Sequence, residues 1–161
     1  MSEFECKPQA VKPEWIDYSG HMNIGYYLLA FEAAAVDFFR HLDLSGEYRA
    51  RTDHSLFALE THIVFLREVQ KGAPLRMTAQ LVGHDEKRAR AFYRMYNGRE
   101  GYLAATNEVM YLHMDLNKRK PAHFLPESLA RIQARWEIDK VSPMPDQAGR
   151  GIGFPVKKAV V

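Results

Sequence analysis

A single cysteine, Cys6, is all the thiol chemistry in the 161 residues. That excludes an internal disulfide and any zinc centre built on several thiolates, and it fits a reducing compartment. Long hydrophobic runs are missing too. The most apolar helix-like stretch contains Glu32, Asp37 and Arg40, so no segment approaches the roughly 20 apolar residues that a membrane span needs. Met1 to Lys7 carries Glu3 and Glu5 and lacks the apolar core of a signal peptide. These absences predict a cytoplasmic protein with no membrane partner. Charge of one sign is also scarce. The formal net charge is +2, too small to imply nucleic acid, although clustered cations can still hold an anionic ligand. The sequence has no internal repeat and no low-complexity segment, and nothing in it predicts a metal site.

What remains is the composition of a globular domain, 47% apolar and 26% charged, long enough for one real core and short for two. Residues 1–161 are read as a single domain, with a core over about 8–115 followed by a C-terminal helix and an irregular tail. Gln9 to Ile16, flanked and interrupted by Pro8 and Pro13, suits an edge strand. From Asn23 to Leu42 the residues Tyr27, Phe31, Ala34, Phe38 and Leu42 recur at helical spacing. Leu28, Ala35 and Phe39 widen that face, so the helix is expected to be wrapped nearly all round. Asn23 suits its N-cap. Tyr48 to Ser55 reads as a loop. Leu56–Val69, Pro74–His84, Arg88–Tyr96 and Tyr102–Met114 read as strands with short breaks, predicting an antiparallel meander. Pro126 to Trp136 predicts an amphipathic helix, and the Pro- and Gly-rich segment after it an irregular tail. The class is α+β, a sheet around one helix. Its uncovered edges predict a homo-oligomer built on a two-fold interface, a dimer or a tetramer of dimers.

Between the first strand and the long helix lies Asp17-Tyr18-Ser19-Gly20-His21-Met22-Asn23, a short turn holding a carboxylate, a hydroxyl, an imidazole and an amide. Asp17 could be a base or nucleophile, or it could merely close an Asx-turn. His21 could support it, or simply face solvent. Further along, Glu60 and His62 lie two apart and share a strand face; Ala58 and Val64 on that side predict partial burial. Arg88, Arg90 and Arg94 form a row on another strand, and Lys118-Arg119-Lys120 is a second basic run. Either could meet phosphates, and either could be solvated surface.

The Asp-x-x-Gly-His-x-Asn turn, with Tyr26-Tyr27 and Phe31-Glu32-Ala33 in the helix after it, resembles the hotdog-fold acyl-CoA thioesterases of the 4-hydroxybenzoyl-CoA thioesterase type. The resemblance covers about Pro8 to Met114. It implies hydrolysis of an acyl-CoA without metal or redox cofactor, coenzyme A being part of the substrate. It assigns Asp17 as general base or nucleophile and helix N-terminal amides near Gly25 and Tyr26 as oxyanion donors. His21 and Glu60 are the further catalytic candidates. Asn23, Gly25, Tyr26, Tyr27 and His62 are candidates for holding the acyl thioester, and Arg88, Arg90 and Arg94 for holding the CoA phosphates. Hydratases of the same fold resemble one another in an Asp-x-Asn-x-x-His arrangement. Ser19 in place of that asparagine, and a shorter aspartate-to-histidine spacing, favour hydrolysis over the hydratase or dehydratase alternative. A non-enzymatic acyl-CoA-binding protein is the other alternative. Glu60-Thr61-His62-Ile63-Val64-Phe65 is also similar to thioesterases associated with carnitine and betaine breakdown, which implies a betainyl-CoA-like substrate. Trp15, Tyr18, Tyr26, Tyr27 and Phe31 would then attract its cation.

Overall fold

The computed structural model describes residues 3–154. Its centre is helix α1, Ile24–His41. Asn23 caps it, the side-chain Oδ1 accepting the Gly25 N–H at 2.9 Å, and Arg40 and His41 sit in its last turn, where cations oppose the helix dipole. Tyr27, Ala30, Phe31, Ala34, Ala35, Phe38 and Phe39 make its buried face. The expectation of a helix wrapped nearly all round is corrected, since Ile24, Leu28, Leu29 and Val36 are exposed, Leu29 to 53%.

Strands β1 (Phe4–Glu5) and β2 (Gln9–Ala10) are two-residue pieces, and both pair antiparallel with β4, Pro74–His84. The predicted edge strand from Gln9 to Ile16 is therefore shortened. Pro13 has no N–H to donate to a ladder, and Pro13–Trp15 winds into a 3₁₀ turn instead. The predicted loop after α1 is also corrected: Gly46–Thr52 forms helix α2, anchored by Tyr48 at 2% exposure, and strand β3, His54–Phe65, follows.

Strands β5 (Arg88–Asn97) and β6 (Leu103–Asp115) complete the main sheet, in the order β1-β4-β5-β6-β3. Only β4, β5 and β6 form the expected meander. Asp85 Oδ1 accepts from Lys87 and Arg88 N–H, and Asn97 Oδ1 from Arg99 and Glu100 N–H, so each hairpin is closed by a side chain mimicking a backbone turn. The longer link from β3 does not fold back onto β4. Leu66 and Arg67 both donate to Ala104 O and Val69 is buried, so the chain crosses over and leaves β3 beside β6 with a free edge.

Strand β7 (Lys120–Pro121) pairs with β6, and helix α3, Pro126–Asp139, packs on β4. Arg135 forks onto Asp139, whose Oδ2 also accepts Leu81 N–H at 2.7 Å, beside the irregularity between Leu81 and Gly83. The segment after α3 lies across the sheet face opposite α1: Pro143 O meets Gln80 Nε2 (3.4 Å) and Gly149 N–H meets Glu108 Oε2 (2.6 Å).

One buried histidine joins three of these pieces. His113 is fully buried. Its Nδ1 faces the Ala122 carbonyl (3.0 Å), which can only accept, so Nδ1 carries the proton and Nε2 accepts from the Tyr48 hydroxyl (2.8 Å). The ring is thus neutral, and burial followed by neighbouring His54 lowers its proton affinity. A histidine that binds its proton less readily when folded contributes stability above its unfolded value, near 6.5. That contribution is lost as pH falls below it. Urea unfolding should therefore show stability falling between pH 7 and pH 5. His113→Gln should lower stability by about 1–2 kcal/mol at pH 7 and flatten that dependence; an unchanged slope in the variant would locate it elsewhere.

Candidate active site

The polar turn is a miniature hairpin. Ile16 and Met22 form a bridge, Asp17 N–H donates to His21 O and Gly20 N–H to Asp17 O, both at 3.0 Å, and Gly20 takes φ +82°, where a side chain would be strained. Trp15 and Met22 are buried beneath it, whereas Tyr18 at its tip is fully exposed. Asp17 Oδ1 accepts from both the hydroxyl and the N–H of Ser19. Those two bonds hold its carboxyl below the usual range; desolvation opposes them, and the Asn23 side chain and His21 add to the lowering. The Asx-turn and the candidate reactive carboxylate are thus the same group, presented ionised at neutral pH.

The first turn of α1 differs from expectation at the amides. Gly25 N–H is taken by Asn23 Oδ1 and Tyr26 N–H by Asn23 O (3.0 Å), because the cap that starts the helix satisfies them. The Ile24 N–H has no acceptor among the described residues. A Cβ at Gly25 would stand 3.3 Å from Asn23 Oδ1, a tight approach to the capping oxygen.

Beside this terminus opens a groove of about 400 Å³ between α1 and the sheet, lined by Gly25, Leu28, Phe31, Glu32, Thr61 and Tyr111 among others. Its walls are largely apolar. Register explains which strand residues reach it. Ala58 pairs with Tyr111 and Thr61 with Val109, while the ladder shifts between Ala58 and Glu60, a bulge at Leu59 that reverses the alternation of β3. Ala58 and Thr61 therefore face the helix, and Thr61 Oγ1 donates to Asn107 Oδ1 at 2.6 Å.

The same bulge sends Glu60 and His62 to the other face. They do share that face, as two-residue spacing predicts, but not with Ala58, and Glu60 is exposed. They line a separate cavity of about 330 Å³ with Arg90, Glu108, Met110 and Gly149–Gly151. The arginine row lies on this outer side as well, and each member has an internal carboxylate: Arg88 with Asp85 (2.8 Å), Arg90 with Glu108 (3.3 Å), Arg94 with Glu3 (2.9 Å). His21 is exposed and its Nδ1 contacts the Glu68 carboxylate, tying the turn to the crossover after β3.

The five aromatics do not gather round one point. Trp15 stacks on Tyr26 (5.7 Å), Tyr27 packs edge-on against Phe65 (5.0 Å) and Tyr18 is in solvent; of the five only Phe31 lines the groove. Tyr26 and Tyr27 are thus tied up in packing, Tyr27 deeply buried. Glu32, Thr61, Asn107 and Tyr111 went unsingled in the sequence as lining residues. The signals for Glu32 were a carboxylate inside a largely apolar helix and its place in the Phe31-Glu32-Ala33 match.

A family model described as the thioesterase-like superfamily matches residues 11–148. The betainyl-CoA thioesterase of Pseudomonas aeruginosa is 41% identical over 145 residues, 90% of this chain and 91% of that protein. The L-carnitine dehydrogenase/betainyl-CoA thioesterase of Agrobacterium fabrum is 37% identical over 138 residues, 86% of this chain and 28% of that longer protein. A Staphylococcus aureus protein solved in complex with CoA superposes with a TM-score of 0.87 at 28% identity, covering 96% of this chain and 98% of that one. A DHNA-CoA thioesterase from the same organism gives 0.72 at 16% identity over 83% and 93%, a likeness of fold alone.

The geometry of the turn makes Ser19 the main influence on Asp17. Ser19→Ala removes the hydroxyl donor and leaves the backbone one, so the Asp17 carboxyl should titrate at higher pH than in the parent protein. Carboxyl carbon NMR across the acid range checks this; an unmoved titration would mean that the hydroxyl is not its partner in solution.

Proposed function

The chain belongs to the thioesterase-like superfamily and is an acyl-CoA thioesterase of the hotdog fold, and from that premise we propose that it hydrolyses betainyl-CoA to glycine betaine and coenzyme A. The observation that carries the substrate reading is the near full-length similarity to a betainyl-CoA thioesterase. In this reading the acyl group lies in the groove beside α1 and the carbonyl oxygen points at the helix N-terminus. There the unpaired Ile24 amide and the dipole stabilise the negative charge that develops on it. Asp17 acts at the carbonyl carbon in one of two ways. As a base it takes a proton from water, which adds directly. As a nucleophile it forms an anhydride that water then opens. Either way the C–S bond breaks, the thiolate leaves as CoA, and the oxygen of one water ends in the acid or in Asp17. His21, through Glu68, holds the turn in place.

The proposed working unit is a homodimer. β3 ends the sheet with an edge unpaired among the described residues, Phe57, Leu59, Phe65 and Leu66 are exposed along or just beyond it, as are Leu28 and Leu29 of α1, and those two leucines line the groove together with Ala58 and Thr61 of β3. A two-fold copy pairing β3 with β3 would satisfy the edge and roof the groove.

Purified protein mixed with a panel of acyl-CoAs should release free thiol, fastest with betainyl-CoA. Asp17→Asn should lower kcat by about 100-fold or more; full turnover in that variant would remove Asp17 from the reaction. Label found in Asp17 after single-turnover hydrolysis in isotopically labelled water identifies the nucleophilic route, since only opening of the anhydride at the aspartyl carbonyl puts it there. Leu59→Arg places a charge on an exposed edge position and should convert the dimer to a monomer in light scattering while leaving the far-ultraviolet circular dichroism of the fold intact. A variant that stays dimeric would move the interface elsewhere.

A further inference from the structure

Among the described residues Glu32 is the single charged side chain on the walls of the groove. Among the described residues no Lys, Arg or His pairs with it. It is flanked by Leu28, Leu29 and Phe31 on its own helix and faces Val109 and Tyr111 across the groove. It also borders the neighbouring hollow lined by Ala35, Phe39 and the same Tyr111. Tyr111 is 6% exposed, its hydroxyl 3.2 Å from that of Tyr93, and the negative charge of Glu32 makes both tyrosines harder to ionise, after the larger effect of burial. The carboxylate, exposed in the single chain, thus projects a negative field into a largely apolar slot, beside an aromatic ring.

We propose that Glu32, with the Tyr111 ring beside it, is the recognition site for a compact quaternary ammonium at the end of the acyl group, and that it sets the enzyme's preference for a cationic over a neutral acyl chain. This rests on the betainyl-CoA reading above and goes further by naming the residue that reads the charge. Position supports it. Glu32 lies eight residues after Ile24, about 12 Å along the helix axis, and helical side chains lean back toward the N-terminus, so its charge acts along the groove in which the acyl group is placed.

Charge decides the selectivity in both directions. A trimethylammonium offers no hydrogen bond, so its recognition must come from an opposite charge and an aromatic face. A neutral acyl group of the same shape would displace water from Glu32 and leave a carboxylate desolvated among leucines without a partner, which is unfavourable. A cationic acyl group compensates that loss.

The test compares kcat/KM, by free thiol release, for betainyl-CoA and for tert-butylacetyl-CoA, in which a carbon replaces the quaternary nitrogen. The parent protein should favour betainyl-CoA. Glu32→Gln, nearly isosteric and neutral, should reduce that ratio by about 30-fold, chiefly through a higher KM for betainyl-CoA. Glu32→Asp, which withdraws the carboxylate by one methylene, should fall between. A parent that favours betainyl-CoA and a Glu32→Gln variant that keeps the ratio within threefold would overturn the role of Glu32 alone. A parent ratio near one would overturn the cationic substrate and the role of Glu32 together.

Discussion

The Asn23 side chain is the pivot of the molecule's reactive end. Its oxygen accepts Gly25 N–H and starts α1, while the same amide group helps keep Asp17 ionised. Helix initiation, the position of the turn and the charge of the candidate catalytic group are therefore coupled through one residue. Capping by Asn or Asp is ordinarily worth about 1 kcal/mol, but here the consequence is directional: Gly25 and Tyr26 N–H are consumed by the cap, and the Ile24 amide is left without an acceptor among the described residues. A helix with an uncapped first turn would offer more donors with less definition.

A second constraint is the bulge at Leu59. Strand alternation is strict at two residues, so one inserted residue reverses everything beyond it. Without it Glu60 and His62 would face α1 and crowd the groove with a second carboxylate and an imidazole. With it, Thr61 and Ala58 line the groove, and Glu60 and His62 join the outer cavity beneath the segment that follows α3. The two faces of the sheet consequently have different chemistry. The helix side is apolar with one carboxylate, and the outer side is a lattice of arginine–carboxylate pairs that largely neutralise one another.

Much of this was legible before any coordinates. Helical periodicity located α1 to within a residue or two at each end, Pro74–His84 was delimited as found, and the Arg/Ala alternation of β5 assigned its faces correctly, because each signal is local and strongly periodic. The turn was legible for the same reason, including the Asx-turn that Asp17 closes. What escaped the sequence was non-local. The partner of β3 depends on the path of a crossover, not on the length of a break. The face of Glu60 depends on a bulge that leaves no composition signal. The aromatics near the turn are close in sequence but diverge in space, since Tyr26 and Tyr27 are successive helical residues about 100° apart.

The exposed apolar rim of α1 and β3 connects these points to function. Leu28 and Leu29 stand open to solvent beside Glu32 in a single chain. Covering them removes water from the groove and raises the effective strength of every charge inside it. A carboxylate that is nearly neutral in its effect on an open surface becomes decisive when roofed: it is unfavourable without a counter-cation and strongly attractive to one. The reversal of β3 at Leu59 keeps Glu60 out of the same slot, so among the described residues Glu32 is the one carboxylate on its walls, and in the proposed reading a cationic acyl group would meet no second carboxylate competing for it.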